Sequence, residues 1–368
     1  MRSSYIAADD MDIQVLLKEF KVRFDPKIRA CFDQVEEEAG KEDLLVKEAL
    51  QHVRRITLSG GKRLRPACMF YGYIAGGGTE EEKLLETAVA IELMHTFLLI
   101  HDDIIDRDGL RHGEQTLHRR YAEIGQKAFP DRDCEHFGNS VALIVGDFLF
   151  ALGNDIIFRA PFSKELVFDA LSRLQSIISY TVIGQARDIY MEYSREATEE
   201  EILKMYRNKT ARYTMEGPIR MGLALSGAPE ELALRFDRYA LPLGIAFQIQ
   251  DDILGIFGSE AKLGKPVGSD IQEGKLTLLV AYALEQGDAE EQKELRRILE
   301  LGDQMSLADV ERFREIIRST GSLDRAQNLS RRYIEEGKQA LQTIRPDIVP
   351  AAFDFFEAIA DYMAEREY

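Results

Sequence analysis

The run Glu92-Leu-Met-His-Thr-Phe-Leu-Leu-Ile-His-Asp-Asp-Ile-Ile-Asp106 decides how this chain is to be read. Followed upstream, Leu84, Ala88, Ile91, His95, Leu98, Asp102 and Asp106 succeed one another at steps of three or four, so they form one stripe of a helix. The stripe begins apolar and ends in imidazole and carboxylate. Residues 93–100 are apolar on nearly every side, the pattern of a buried helix. Its acidic end is therefore expected to open into a cavity. Asp102 and Asp106 lie about 40° apart around such a helix, which sets their carboxylates side by side. Like charges held so close raise each other's pKa unless a cation intervenes. A hard divalent ion with oxygen ligands is the natural neutraliser, and magnesium keeps room for substrate phosphate.

Outward from this stretch the same periodicity continues. Apolar residues at helical spacing cover 13–38, 44–58, 79–106, 141–160, 164–192, 198–221, 230–257 and 306–318, and strand alternation is hard to find. Gly60-Gly61, Gly76-Gly77-Gly78, 227–229, 264–266 and Arg345-Pro346 punctuate the helices. The fold class is all-α, a large helical bundle around a central cavity. Residues 1–10 are expected to form a flexible tail, and 11–368 a single all-α domain.

A second acidic pair, Asp251-Asp252, closes another apolar helix in Gln248-Ile-Gln-Asp-Asp252. Two such pairs suggest carboxylates facing one another across a bundle. Gly60-Gly-Lys-Arg-Leu-Arg-Pro66 places glycines ahead of clustered cations, an arrangement in which backbone and side chains can wrap a phosphate. It lacks the GxxxxGK[ST] spacing of a P-loop. Arg111-His112-Gly113, Lys209-Thr210, Lys265 and Lys275 are further basic points near the acidic motifs. Each alone reads as a surface cation, but together with the acid pairs they outline an anion site.

Bulk composition restricts the choices. Sixty-four acidic against 47 basic residues leave a net charge of −17, which argues against a general nucleic-acid or anionic-membrane surface. Three cysteines, Cys31, Cys68 and Cys134, lack disulfide or zinc spacing. The first residues lack the apolar run of a signal peptide, and no stretch approaches the ~18 uninterrupted apolar residues of a membrane helix. No membrane span is expected, and cytoplasm is the default.

The order GGKRLRP, ELMHTFLLIHDDIID, RHG, GQARD, NKTA, FQIQDDILG and GKPVGSDIQEGK resembles the trans-isoprenyl diphosphate (polyprenyl) synthase family over roughly residues 60–279. The resemblance implies the isoprenoid-synthase bundle, usually as a homodimer, acting on isopentenyl diphosphate and an allylic diphosphate with magnesium. It makes Asp102, Asp106 and Asp251 magnesium ligands, supported by Asp103 and Asp252. Lys62, Arg65 and His95 match the isopentenyl diphosphate site. Arg111, Lys209, Thr210, Gln248, Lys265 and Lys275 match the allylic diphosphate site. Two departures stand out. His112 replaces the second arginine of the usual pair, giving up a permanent charge, and Gly255 stands where many members have a third Asp.

The implied chemistry is ionisation of the allylic diphosphate and attack on the cation by the isopentenyl double bond, with cations and metal stabilising the departing charge. Three other readings compete. The His101-Asp102 dyad suggests an HD-type phosphohydrolase but leaves GGKRLRP and Asp251 unexplained. A class I terpene cyclase does not need the GGKRLRP cations, and a non-catalytic subunit of a heteromeric synthase would lose metal ligands. Product length is read from the residues before Asp102. Helical spacing puts Leu98 beneath Asp102 and Phe97 about 140° aside, whereas the resemblance makes the aromatic at Phe97 the main stop. One aromatic there and no insertion in DDIID look like the geranylgeranyl pattern.

Overall fold

The computed structural model describes residues 12–258 and 269–365. The expected tail at 1–10, and Lys265 with its loop, lie outside these residues. Among the described residues the chain is helical apart from one two-stranded ribbon.

Helix α1 (Ile13–Glu42) starts where the Asp12 carboxylate accepts the Gln14 N–H at 2.8 Å, and buries Phe20, Phe24, Ile28 and Phe32 along one side. Asp43 ends α1 and, by accepting the Val46 N–H at 3.1 Å, starts α2 (Leu44–Ser59). Helix α3 (Leu64–Ala75) follows the glycine loop and leads into α4 (Glu81–Ile105), the helix of the first acidic motif. Helices α5 (Leu117–Ala128), α6 (Cys134–Phe158) and α7 (Lys164–Ser194) come next. The continuous helix expected over 198–221 is divided. It forms α8 (Glu199–Tyr206), a π-helix (Arg207–Glu216) and α9 (Gly217–Ser226). Helix α10 (Glu230–Phe257) carries the second acidic motif. Then follow α11 (Ser269–Gln272), α12 (Leu278–Gln286), α13 (Ala289–Leu299), α14 (Leu307–Ser319), α15 (Ser322–Ile344) and α16 (Pro350–Glu365).

Two hydrophobic clusters share α10. The larger joins α1 to α7, α9, the first half of α10 and the C-terminal helices α15 and α16. The smaller joins the second half of α10 to α8 and α11–α15. The acidic pair does not close α10 as expected: the helix runs on to Phe257, burying Ile253, Leu254 and Ile256 beyond Asp252, so Asp251 and Asp252 lie within its last two turns.

One expectation about apolar runs needs correction. Four helices among the described residues, α4, α6, α7 and α10, are long and apolar enough to cross a membrane by length and composition. Isolated charges interrupt each run, so a search for unbroken apolar residues passes over them. In α4 and α10, 72% of the apolar window is buried within the protein, where it serves the core. In α6 and α7 the buried shares are 39% and 33%, and Leu143, Ile144, Val182 and Ile183 face outward.

Candidate active site

The site is built from the start of α3, the end of α4, the C-terminal parts of α7 and α10, and the π-helix. Helix α4 keeps its geometry to the last acid, since Asp106 N–H donates to Asp102 C=O at 2.8 Å. Burial, followed by the adjacent Asp102 charge, pushes the Asp106 carboxyl above the usual range, against the pull of Lys275 and Lys209. Lys275 Nζ meets Asp106 Oδ2 at 3.1 Å, so a residue far along the chain closes over the first acidic motif.

Asp103 points elsewhere. It is buried and accepts from Arg111 Nε at 2.8 Å and again from Nη2, while Nη2 also reaches Asp108 at 2.8 Å. Burial lifts the Asp103 carboxyl to about 6 even though Arg111 pulls it down. Arg111 is thus placed in an ion-pair cluster beneath the motif.

The ribbon explains that placement. Leu110–Arg111 pairs antiparallel with Glu114–Gln115, and the intervening His112 and Gly113 have φ of 53° and 80°. Positive φ at both central residues is the signature of a two-residue I′ hairpin turn. No strand alternation announces so short a ribbon. His112 is exposed, and its ring packs over Gly60: a Cβ there would lie 2.5 Å from the imidazole. The residue as a whole is open to solvent, but the packed ring is partly desolvated; that desolvation first, then Arg111, lowers its pKa, while a hydrogen bond to the Ile56 carbonyl works the other way.

The three cations of GGKRLRP divide their roles. Arg63, at φ 58°, turns inward and is buried, donating to Asp25 at 2.8 Å, Glu92 at 2.6 Å and the Thr57 carbonyl at 2.8 Å. It ties the loop to α1, α2 and α4, a role the motif alone did not disclose. Lys62 stays exposed and donates to the Tyr362 hydroxyl of α16. Arg65 stacks on Tyr213 at 4.4 Å, donates to Thr214 Oγ1 at 2.9 Å and lies 3.3 Å from His95 Nε2. Its Nε is buried without a hydrogen-bond partner, an unmet donor in a basic pocket. His95 Nδ1 is 2.7 Å from the Tyr213 hydroxyl, and burial, then Arg65, holds the imidazole well below its ordinary pKa.

The π-helix supplies the other wall. π-Helical geometry is rare and concentrates at functional sites. Here it directs Lys209 to Asp188 Oδ2 at 2.5 Å, Thr210 to Gln248 Oε1 at 2.5 Å, and Tyr213 and Thr214 to His95 and Arg65. Burial works to discharge Lys209, but Asp188 and Asp102 outweigh it and its pKa is raised. Glycines allow the close approach. A Cβ at Gly184 on α7 would lie 2.4 Å from Lys209 N, and one at Gly244 on α10 would lie 2.4 Å from Ala211 Cα.

On α10 the second acidic pair is also divided. Asp252 is buried and accepts from Tyr206 and from Gln248 Nε2, the latter at 2.7 Å. Asp251 is only half-buried. Phe97 is buried between α4 and α6, with its ring 5.3 Å from Phe150 and 4.9 Å from His101, whereas Leu98 is half-buried.

Among the described residues no three acidic, histidine or cysteine side chains converge tightly enough to enclose a metal ion alone. The donors at hand are hard carboxylate oxygens, and Asp106 already takes its counter-charge from an ammonium group. Such a set suits a hard divalent ion that completes its shell with substrate oxygens. Sequence reasoning missed Arg63, Tyr206, Tyr213 and Thr214, and gave Asp188 no chemistry. Of these, Arg63 within GGKRLRP and Asp188 within GQARD lay in motifs that carried a signal.

Comparison with known proteins agrees with this geometry. Residues 46–317 match the family model described as polyprenyl synthetase. The chain is 32% identical over 358 residues to the short chain isoprenyl diphosphate synthase of Methanothermobacter thermautotrophicus, covering 97% of this chain and 100% of that protein. It is 34% identical over 310 residues to the geranylgeranyl diphosphate synthase of Saccharolobus solfataricus, covering 83% and 86% respectively. The crystal structure of geranylgeranyl pyrophosphate synthase from Corynebacterium glutamicum, complexed with isoprenyl diphosphate and magnesium, matches with a TM-score of 0.87 at 30% identity. That match covers 98% of this chain and 100% of the other. The chain belongs to the polyprenyl synthetase family and is a trans-type prenyltransferase, an isoprenyl diphosphate synthase.

Proposed function

We propose that this enzyme lengthens an allylic diphosphate with isopentenyl diphosphate under magnesium, releasing diphosphate, with geranylgeranyl diphosphate as the main product. The observation that carries this reading is the ion pair of Lys275 with Asp106 at 3.1 Å at the first acidic motif, with Lys209 held on the opposite wall by Asp188 at 2.5 Å. Magnesium held by Asp102, Asp106 and Asp251 would supply charge neutralisation at the allylic diphosphate oxygens.

The chain's own residues complete the scheme. Lys209 and Lys275 hold the allylic diphosphate and offset the charge that grows as its C–O bond ionises. Thr210 and Gln248 orient that end through their mutual hydrogen bond. Arg65, whose Nε awaits an acceptor, binds isopentenyl diphosphate with Lys62, His95 and His112. The double bond of isopentenyl diphosphate attacks the allylic cation, and the proton then lost passes to the departing diphosphate. Lys265 is assigned to the allylic site on its motif alone. The apolar faces of α6 and α7, with Ile144 and Ile183 66% and 56% exposed, support a homodimer through those helices.

Purified protein should convert isopentenyl diphosphate and a geranyl or farnesyl primer to geranylgeranyl diphosphate, and excess chelator should stop the reaction. Product chromatography decides. Failure to elongate any allylic primer would overturn the reading, and a different main product would overturn only the length assignment.

His112→Arg is expected to preserve or improve activity by lowering the KM for isopentenyl diphosphate. The backbone accepts arginine in this conformation, since Arg63, Arg107 and Arg195 all have φ between 57° and 59°. Steady-state kinetics in both substrates is the check. A large fall in turnover at constant KM would give His112 another task.

A further inference from the structure

Tyr206 ends α8 and is the residue three positions before Lys209. Its side chain is fully buried, with 1% of its surface exposed. The phenol makes two hydrogen bonds in opposite senses. It donates to Asp252 Oδ2 on α10, and it accepts the backbone N–H of Leu278, the first residue of α12, at 3.1 Å. Asp252 accepts on its other oxygen from Gln248 Nε2 at 2.7 Å, and Gln248 Oε1 accepts from Thr210 Oγ1 at 2.5 Å.

These bonds form one directed series, from Leu278 N–H through Tyr206 to Asp252 and from Thr210 through Gln248 to the same carboxylate. They span α12, α8, α10 and the π-helix. The phenol oxygen accepts and donates at a single atom, and tyrosine carries it that far from the backbone on a rigid apolar ring. Phenylalanine would fill the same volume while depriving Asp252 and Leu278 of this partner, a loss concentrated on buried polar groups.

We propose that Tyr206 is a positioning residue for the allylic half of the site. It sets Asp252, and with it the end of α10 that presents Asp251, against the segment that delivers Lys275 to Asp106. Leu278 lies three residues beyond Lys275, so the phenol anchors that segment just past its cation. This inference rests on the reading above, in which Asp251 and Lys275 serve the allylic diphosphate. A role in core packing alone would weaken both substrate sites or only the fold. A positioning role predicts an effect confined to one substrate.

The test uses the full chain with magnesium, geranyl diphosphate and isopentenyl diphosphate, comparing Tyr206→Phe, Asp252→Asn and the double variant. Tyr206→Phe is expected to raise the KM for geranyl diphosphate about tenfold, the size of one hydrogen bond to a charged group. The KM for isopentenyl diphosphate should stay within about twofold. In the Asp252→Asn background the same substitution should add no more than about twofold, because contacting residues in one network are not additive. Equal movement of both KM values, or an undiminished effect in that background, would overturn the proposal. If Tyr206→Phe does not fold, Asp252→Asn alone must show the same selectivity for geranyl diphosphate, and a non-selective change there overturns it. Asp251→Ala separates the two layers. Full activity in that variant removes the parent reading, whereas loss of activity there with a non-selective Tyr206→Phe removes only this inference.

Discussion

Alanine at Asp102 or at Asp251 is expected to lower turnover by at least ~10²-fold, the scale of losing a main electrostatic stabiliser. The two positions stand on different buried helices, Asp102 in the last turn of α4 and Asp251 in the last two turns of α10, so neither can substitute for the other. Asp102 is half-buried, and its charge raises the Asp106 pKa. Removing it also relieves a like-charge contact. The melting temperature of Asp102→Ala without magnesium should therefore hold or rise while activity collapses. Single-turnover kinetics with saturating substrate, set beside a thermal melt, reads both quantities. Near-normal turnover in either variant would refute the metal assignment. A parallel loss of stability and activity would instead make the carboxylate structural.

Phe97→Ala is expected to shift the products to longer chains. Phe97 lies five positions before Asp102, about 7.5 Å down the axis of α4 at 1.5 Å per residue. Its ring is buried against Phe150 and His101, so truncation opens space between α4 and α6 below the first acidic motif. The stability cost of such a truncation is about 3–5 kcal/mol, and products should be compared well below the variant's melting temperature. Leu98, half-buried on the stripe of Asp102, is the competing stop. An unchanged product distribution despite that loss of stability would make Phe97 core packing and leave chain length to other residues. Chain elongation itself would stand.

Several features were legible from residues alone for a physical reason. Helical period is written into spacing, so α4 and α10 appear in the sequence nearly as they fold, and an apolar run ending in carboxylates implies that the acids do not face bulk water. Order and identity of the motifs also sufficed for the family. Other features left no local trace. Spacings of three and four do not distinguish an α-helix from one that widens to the next hydrogen bond, so they predict continuous α through the π-helix at Arg207–Glu216. The ribbon at 110–115 is too short to alternate.

Division of labour within each motif was decided by tertiary structure. Asp102 and Asp103 are neighbours, yet successive positions on a helix face about 100° apart; spacing already sets Asp102 beside Asp106, but only packing shows that Asp103 meets Arg111. The same holds for Lys62, Arg63 and Arg65, of which only Arg63 turns inward to Asp25 and Glu92. Asp252 is distinguished from Asp251 by Tyr206, 46 positions away in the chain. What the sequence determined by itself was the helical class and the family, because periodicity and motif order are local properties of the chain. What only the fold decided was which acid or cation turns to the core and which to the site, because burial and partner choice depend on residues distant in sequence.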